Sequence, residues 1–117
     1  MIVNRVYSLC RNDSFRKDYN LTNQIQRAAI SIMANIAEGF SRKGNKEFAQ
    51  FLFIAKASAA ELQSHFYIAL DQKYISIEDF NSIYNSIEKV QRMLSNFIKY
   101  LRTIVPKTRN AINSITL

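Results

Sequence analysis

The stretch that decides the fold is FNSIYNSIEKVQRMLSNFIKYLRTI, at residues 80–104. Its apolar side chains recur at steps of three and four, which places them on one face of a long helix. Pro106 cannot continue a helix, so we expect residues 106–117 to form a mobile, basic C-terminal tail. The predicted core face of the helix consists of Phe80, Ile83, Ile87, Val90, Leu94, Phe97, Leu101 and Ile104.

The same spacing predicts a helix from about Asn20 to Arg42. Asn20 is expected to be its N-cap, because asparagine side chains accept hydrogen bonds from the first helical amides. After Arg42, we expect Gly44 to adopt a left-handed turn and Asn45 to cap the next helix. The core face of this helix is predicted to hold Leu21, Ile25, Ala28, Ile32, Ile36 and Gly39.

A third long helix is predicted up to about Lys73, followed by Ser76 and Asp79, which are typical of a capping box before the 80–104 helix. At the other end of the chain, Ile2, Val6 and Leu9 indicate a short first helix, followed by a polar connection over residues 11–19. The core face of the third long helix is predicted to hold Phe48, Leu52, Ala55, Ala59, Leu62, Phe66 and Ala69.

These helices predict an all-α protein, an antiparallel up-down four-helix bundle with a short first helix, whose axes cross at roughly 20°. The 117 residues suit one domain, which we place at residues 1–105, with the tail at 106–117. Only two glycines and one proline occur, and 48% of the residues are hydrophobic, which argues against both a many-stranded β fold and disorder.

The sequence contains no signal of secretion and no apolar run long enough for a membrane span, so we expect a cytoplasmic protein. Its single cysteine, Cys10, predicts no internal disulfide. Glu61 and His65, one helical turn apart, are too few ligands for a stable metal site. We therefore expect no metal, no cofactor and no catalysis, since no nucleophile with its base and no phosphate-cradling glycine loop is recognisable.

The net charge of +7 is concentrated near the C-terminus, where no acidic residue follows Glu88. Basic residues on the outward face of the 80–104 helix form a stripe that is typical of binding to nucleic acid phosphates. The alternative interpretation is a solvated face whose late cations suit a helix C-terminus. The predicted nucleic-acid-binding residues, including two in the tail, are Lys89, Arg92, Lys99, Arg102, Lys107 and Arg109.

The third long helix is apolar on a second side, which a small monomer cannot fully bury. Either the helix lies centrally in the bundle or this second stripe is a subunit interface, and the interface is the interpretation that we favour. The predicted oligomer interface contains Phe53, Ile54, Tyr67 and Ile68. Asn35, Glu38, Arg42 and Glu61 are candidates for a polar network that fixes the helices, with a solvated surface as the alternative for the first three.

The stretches LTNQIQRAA at residues 21–29 and NIAEGFSR at residues 35–42 resemble the bacterial four-helix bundle family. This family includes the proteins encoded in intervening sequences of 23S ribosomal RNA genes. The resemblance continues through KEF at 46–48, FLFIA at 51–55 and EL at 61–62, so it covers roughly residues 15–105. It also extends to the accessory variability determinants of diversity-generating retroelements, which are basic homopentamers that associate with nucleic acid and a reverse transcriptase.

The resemblance implies a pentamer here, an RNA or DNA partner and a protein partner such as a reverse transcriptase. Together with the basic stripe, it predicts a non-catalytic, homo-oligomeric accessory protein that binds nucleic acid without strong sequence specificity. The alternative function is a protein–protein interaction scaffold, in which the second apolar stripe docks a partner protein.

Overall fold

The computed structural model describes residues 1–103, and all the regular structure in that part of the chain is helical. The predicted all-helical bundle is therefore confirmed. The predicted end of the domain at residue 105, the core position Ile104 and the 106–117 tail lie outside the described residues. The helices are α1 (Ile2–Cys10), α2 (Asp13–Lys17), α3 (Tyr19–Phe40), α4 (Asn45–Asp71) and α5 (Ile77–Thr103).

The central helix of the bundle is α4, which packs against both α3 and α5. Residues 41–44 connect α3 to α4, so α4 returns along α3. Ser31 of α3 therefore meets Ser58 of α4, with their hydroxyl oxygens 2.8 Å apart. The helix α1 lies across the bundle from α4 and packs against α3 and α5. Its Arg5 side chain donates hydrogen bonds to the hydroxyls of Ser82 and Ser86 in α5. Four helices thus surround one core.

The apolar faces predicted from the spacing form this core, with one correction. Every predicted core residue of α4 is buried, and so are Phe80, Ile83, Ile87, Leu94 and Leu101 of α5. Phe97, however, is 44% exposed, whereas Ile98 is 5% exposed and belongs to the core. A strict seven-residue repeat predicts that Phe97 faces inward, but an α-helix has 3.6 residues per turn, so the inward face drifts along the helix and reaches Ile98 instead.

The predicted polar connection between the first two helices is only partly correct, because it contains the short helix α2. Phe15 lies in this helix, is completely buried and stacks on Tyr74, with ring centroids 5.3 Å apart. The Tyr74 hydroxyl donates a hydrogen bond to Asp18 over 3.0 Å. This cluster closes the end of the bundle at which α4 passes to α5.

Two predicted helix starts also need correction. Asp18, not Asn20, caps α3, since its side chain accepts a hydrogen bond from the Leu21 amide over 3.0 Å. Gly44 is not left-handed but extended, with a φ of −98°, and it occupies the N-cap position of α4. Asn45 is therefore the first helical residue rather than the cap. The predicted cap of α5 is confirmed, because the Asp79 amide donates to the Ser76 hydroxyl.

Cys10 is buried in the core, and this desolvation raises the pKa of its thiol to about 11. None of the helices within residues 1–103 is long and apolar enough to cross a membrane.

Candidate nucleic-acid interface

The predicted basic stripe lies along the outer side of α5, opposite its buried apolar face. Lys89, Arg92 and Lys99 are all exposed there. Arg102 is exposed too, but it lies at the edge of α5 that borders α4. Lys107 and Arg109, the two predicted binding residues of the tail, lie outside the described residues. The structure thus brings four of the six predicted residues onto one helix.

A groove between α4 and α5 adds a cation that sequence reasoning missed. Lys56 of α4 lines this groove together with Lys99 and Arg102 of α5, and the groove has a volume of about 250 Å³. Lys56 was missed because it follows the apolar run of residues 51–55 and its neighbours on α5 lie about forty positions further along the chain. The sequence did contain a signal for Lys56. It lies one helical turn from the core positions Leu52 and Ala59, so it lies on the side of α4 next to the core rather than on the fully solvated side.

The groove also contains an aromatic ring. The guanidinium carbon of Arg102 lies 4.7 Å from the centroid of the Phe53 ring, which is a cation–π contact. This contact holds the arginine head group against α4, so less side-chain freedom is lost when the guanidinium binds an anion. Three cations in one groove can bind phosphate groups, and the partly exposed Phe53 side chain adds an apolar surface beside them.

The second apolar stripe of α4 is exposed within one chain. The four predicted interface residues, Phe53, Ile54, Tyr67 and Ile68, are 41%, 49%, 49% and 47% exposed, respectively. We call this surface the outer face of α4. Phe53 and Tyr67 lie at its α5 edge, where Tyr67 contacts the rings of Phe80 and Tyr84. Ile54 and Ile68 each follow one of these two residues, so the helix places them about 100° further round, on the side of the outer face away from α5.

The four candidate network residues occupy separate places. Asn35 donates to the backbone and hydroxyl oxygens of Ser31, which in turn contacts Ser58. Glu38 and Arg42 form an ion pair of 2.6 Å within α3 and its C-terminal turn, and Arg42 also lies over the Phe51 ring. The side chains of Arg42 and Glu38 are 41% and 52% exposed, and an ion pair at this exposure contributes little to stability. Among these polar contacts, the Ser31–Ser58 hydrogen bond and the position of Arg42 over Phe51 are the ones that reach across to α4.

Glu61 lies further along the boundary between α3 and α4, on a polar cavity of about 410 Å³. Arg27 and His65 line the same cavity, but no ion pair joins Glu61 to either of them in residues 1–103. No cluster of three or more metal-ligating side chains occurs in this part of the chain. The cavity is open and flanked by the amide side chains of Asn20, Asn23 and Gln24, so its wall offers both hydrogen-bond donors and acceptors.

The chain as a whole is similar to known proteins of one family. The profile of the family described as "23S rRNA-intervening sequence protein" matches residues 1–96 of this chain. A comparison with functionally curated proteins gave no match. Among solved structures, the chain is similar to a protein of unknown function from the S23 ribosomal protein family of Bacteroides thetaiotaomicron.

The two structures superpose with a TM-score of 0.73 at 25% sequence identity, over 85% of this chain and 99% of the other. The superposition supports the helical bundle, and the profile covers most of the described residues. This chain therefore belongs to the 23S rRNA-intervening sequence protein family.

Proposed function

We propose that this chain is a non-catalytic, homo-oligomeric accessory protein of the cytoplasm that binds RNA or DNA through a basic surface. The observation that carries the proposal is the groove between α4 and α5, where Lys56, Lys99 and Arg102 lie beside Phe53. Lys89 and Arg92 extend the same positive surface along the outer side of α5. Lysine and arginine heads at a surface recognise backbone phosphates, which carry no sequence information, so strong sequence specificity is not expected.

The limited size of this basic surface and the exposed outer face of α4 support the oligomeric part of the proposal. From Lys89 to Arg102 the axis of α5 advances about 20 Å, so one protomer contacts only a few phosphates. A symmetric assembly through the outer face of α4 would bury its exposed apolar residues and join the basic surfaces of several protomers. We propose a pentamer, the assembly that the family resemblance implies.

The test is a charge-reversal variant of the basic surface, R92E/K99E/R102E. We expect it to lose RNA binding in a fluorescence-anisotropy titration at low salt, because repulsion replaces attraction at three phosphate contacts. The control R11E/K17E/K73E makes the same change in net charge at exposed residues near the other end of the bundle. It should retain most of the affinity, and both variants should keep the helical circular dichroism of the unmodified protein.

Equal binding by the charge-reversal variant and the unmodified chain would refute the proposed surface. Equal loss in the charge-reversal and control variants would show that net charge alone, rather than this groove, determines the affinity. Salt is a further check, since phosphate contacts predict that binding weakens steeply between about 50 and 200 mM salt.

The exposed outer face of α4 also favours a second candidate function, docking of a partner protein such as a reverse transcriptase. Four large apolar side chains, each more than 40% exposed, lie within about four turns of one helix. A complex between the purified proteins should persist after nuclease treatment and disappear in the I54E/I68E variant. A complex that nuclease destroys would instead indicate that nucleic acid bridges the two proteins.

A further inference from the structure

A second cavity opens where the first turn of α4 meets the last turns of α5. Its volume is about 390 Å³, and α4 contributes Gly44, Asn45 and Lys46 to its wall. Leu101 and Arg102 of α5 form the opposite wall. Because Arg102 also lines the groove with Lys56 and Lys99, the two spaces adjoin at this arginine.

The first turn of α4 presents hydrogen-bond donors without a capping side chain. Its N-cap is Gly44, which has no side chain to accept from the amides of Asn45, Lys46 and Glu47. The first helical hydrogen bond runs from the Phe48 amide to the Gly44 carbonyl, so these three amides precede it. Uncapped amides at the start of a 27-residue helix are the positive end of its dipole and favour an anion.

The charged residues around this helix start reinforce the positive potential. Lys46 stands in the first turn, where a cation opposes the helix dipole, and Arg102 faces it from α5. Glu47 is the acidic residue of this turn, and it lies on the side of α4 away from Asn45, because neighbours two positions apart point in nearly opposite directions. The cavity wall therefore combines two cations with backbone donors that have no acceptor among residues 1–103.

The side chain of Asn45 is an independent indication of a ligand. Asn45 is only 7% exposed, yet neither its amide nitrogen nor its amide oxygen has a hydrogen-bond partner in the described part of the chain. Asn45 and Ala49 lie one turn apart on the face of α4 that borders α5, and both line this cavity. A buried amide without partners is costly, and a ligand that accepts its N–H group would remove part of that cost.

We propose that this cavity binds one phosphate group of the nucleic acid backbone, held by the first-turn amides of α4, the Asn45 side chain, Lys46 and Arg102. The inference rests on the proposed function and adds a fixed contact to it. Surface cations hold a polyanion loosely, whereas amides in a helix end fix the position of a phosphate. The strand would then continue from this phosphate into the adjoining groove.

The sharpest variant is G44D, because it places a carboxylate where the phosphate is expected. A β-carbon at Gly44 meets nothing within 4 Å, and the extended backbone there suits an aspartate N-cap. The variant should therefore fold at least as stably as the unmodified protein while its carboxylate occupies the first-turn amides. A matched control is S76D, which adds the same charge at the N-cap of α5.

Inorganic phosphate is the first probe, titrated at constant ionic strength against chloride and followed by amide NMR. We expect saturable shifts at Asn45–Glu47 in the unmodified protein and in S76D, and their loss in G44D. Absence of these shifts in the unmodified protein, or their persistence in G44D, would overturn the proposed anion site. The phosphate titration does not depend on RNA binding, so it tests the anion site separately from the proposed function.

The second experiment measures the RNA affinity of the same variants. G44D should weaken RNA roughly tenfold and lower the salt dependence by about one phosphate contact, while S76D changes neither. Undiminished RNA affinity in G44D would overturn the assignment to a backbone phosphate even if the phosphate shifts were lost. If the unmodified protein bound no RNA at all, the proposed function would fail and the polynucleotide assignment with it.

Discussion

At the scale of single residues, Gly39 shows how closely α3 and α4 approach each other. A β-carbon built at this position would lie 2.8 Å from the Phe51 β-carbon and 3.0 Å from a ring carbon of Phe48. The Phe51 β-carbon is fixed to the backbone and cannot rotate away. The glycine within the NIAEGF stretch is therefore explained by packing, since alanine would otherwise favour a helix by about 1 kcal/mol.

We expect G39A to lower the free energy of unfolding by about 1–2 kcal/mol, because overpacking outweighs the gain in helix propensity. Urea denaturation followed by circular dichroism measures this difference. The control is G44S, since a β-carbon at Gly44 meets nothing within 4 Å and serine is a good N-cap. An increase in the stability of G39A would contradict the close approach of the two helices.

At the scale of elements, Asp18 joins two parts of the bundle that are far apart in sequence. One carboxylate oxygen caps α3 at the Leu21 amide, and the other accepts from the Tyr74 hydroxyl at the end of α4. The pKa of the Tyr74 hydroxyl is raised, mainly because this hydroxyl donates a hydrogen bond to the Asp18 carboxylate. Tyr74 in turn stacks on Phe15, so α2, α3 and the α4–α5 connection meet at this carboxylate.

We expect D18A to lower the free energy of unfolding by about 2 kcal/mol, because it removes a cap and a tyrosine partner together. Y74F keeps the stacked ring and loses only the hydroxyl, so its cost should be about 1 kcal/mol. The double variant tests the link between them, since coupled residues give a smaller loss than the sum of the two single changes. Strict additivity would show that the two contacts act independently.

The helices differ in how far they could be predicted from the sequence. The helices α3, α4 and α5 were predictable because each repeats its apolar face over several turns. The helix α2 was not, since its five residues are too few for a periodicity and hold one large apolar side chain, Phe15. Asp18 was missed as a cap because Asn20, two residues later, has the same chemistry.

The residues of the candidate site also differ in whether the sequence could predict them. The stripe on α5 could be predicted, because charges on one helix follow from its own periodicity. The contributions of Lys56 and Asn45 depend on which sides of α4 and α5 face each other, and neither helix contains that information alone. The uncapped first turn of α4 was hidden for another reason, since the sequence indicated a left-handed glycine followed by an asparagine cap.

At the scale of the whole molecule, charge is distributed unevenly along the bundle. Residues 38–47 and 96–103 meet at one end, where Phe40 and Phe97 both contact Phe48, and they contain five basic and two acidic residues. Residues 11–18 and 71–79 meet at the other end, around Asp18 and Tyr74, and contain four basic and five acidic residues. A polyanion is therefore expected to approach the end that holds the groove and the start of α4.

Phe53 connects the two proposed surfaces of the molecule. Its ring lies under Arg102 in the groove, and it is also part of the outer face of α4. Assembly through that face would hold the Phe53 ring and, through it, the Arg102 head group. We therefore expect self-association and RNA binding to strengthen each other, and linkage requires the two effects to be equal in size.

The variant I54E/I68E tests this coupling without altering the basic groove, because neither isoleucine lines that groove and both lie on the side of the outer face away from α5. We expect it to be monomeric by light scattering and to bind RNA about tenfold more weakly than the unmodified protein. The control I30E/I77E adds the same two charges at exposed isoleucines elsewhere. RNA should also shift the unmodified protein towards the assembly at low protein concentration. A monomeric variant with full RNA affinity would show that each protomer binds RNA independently.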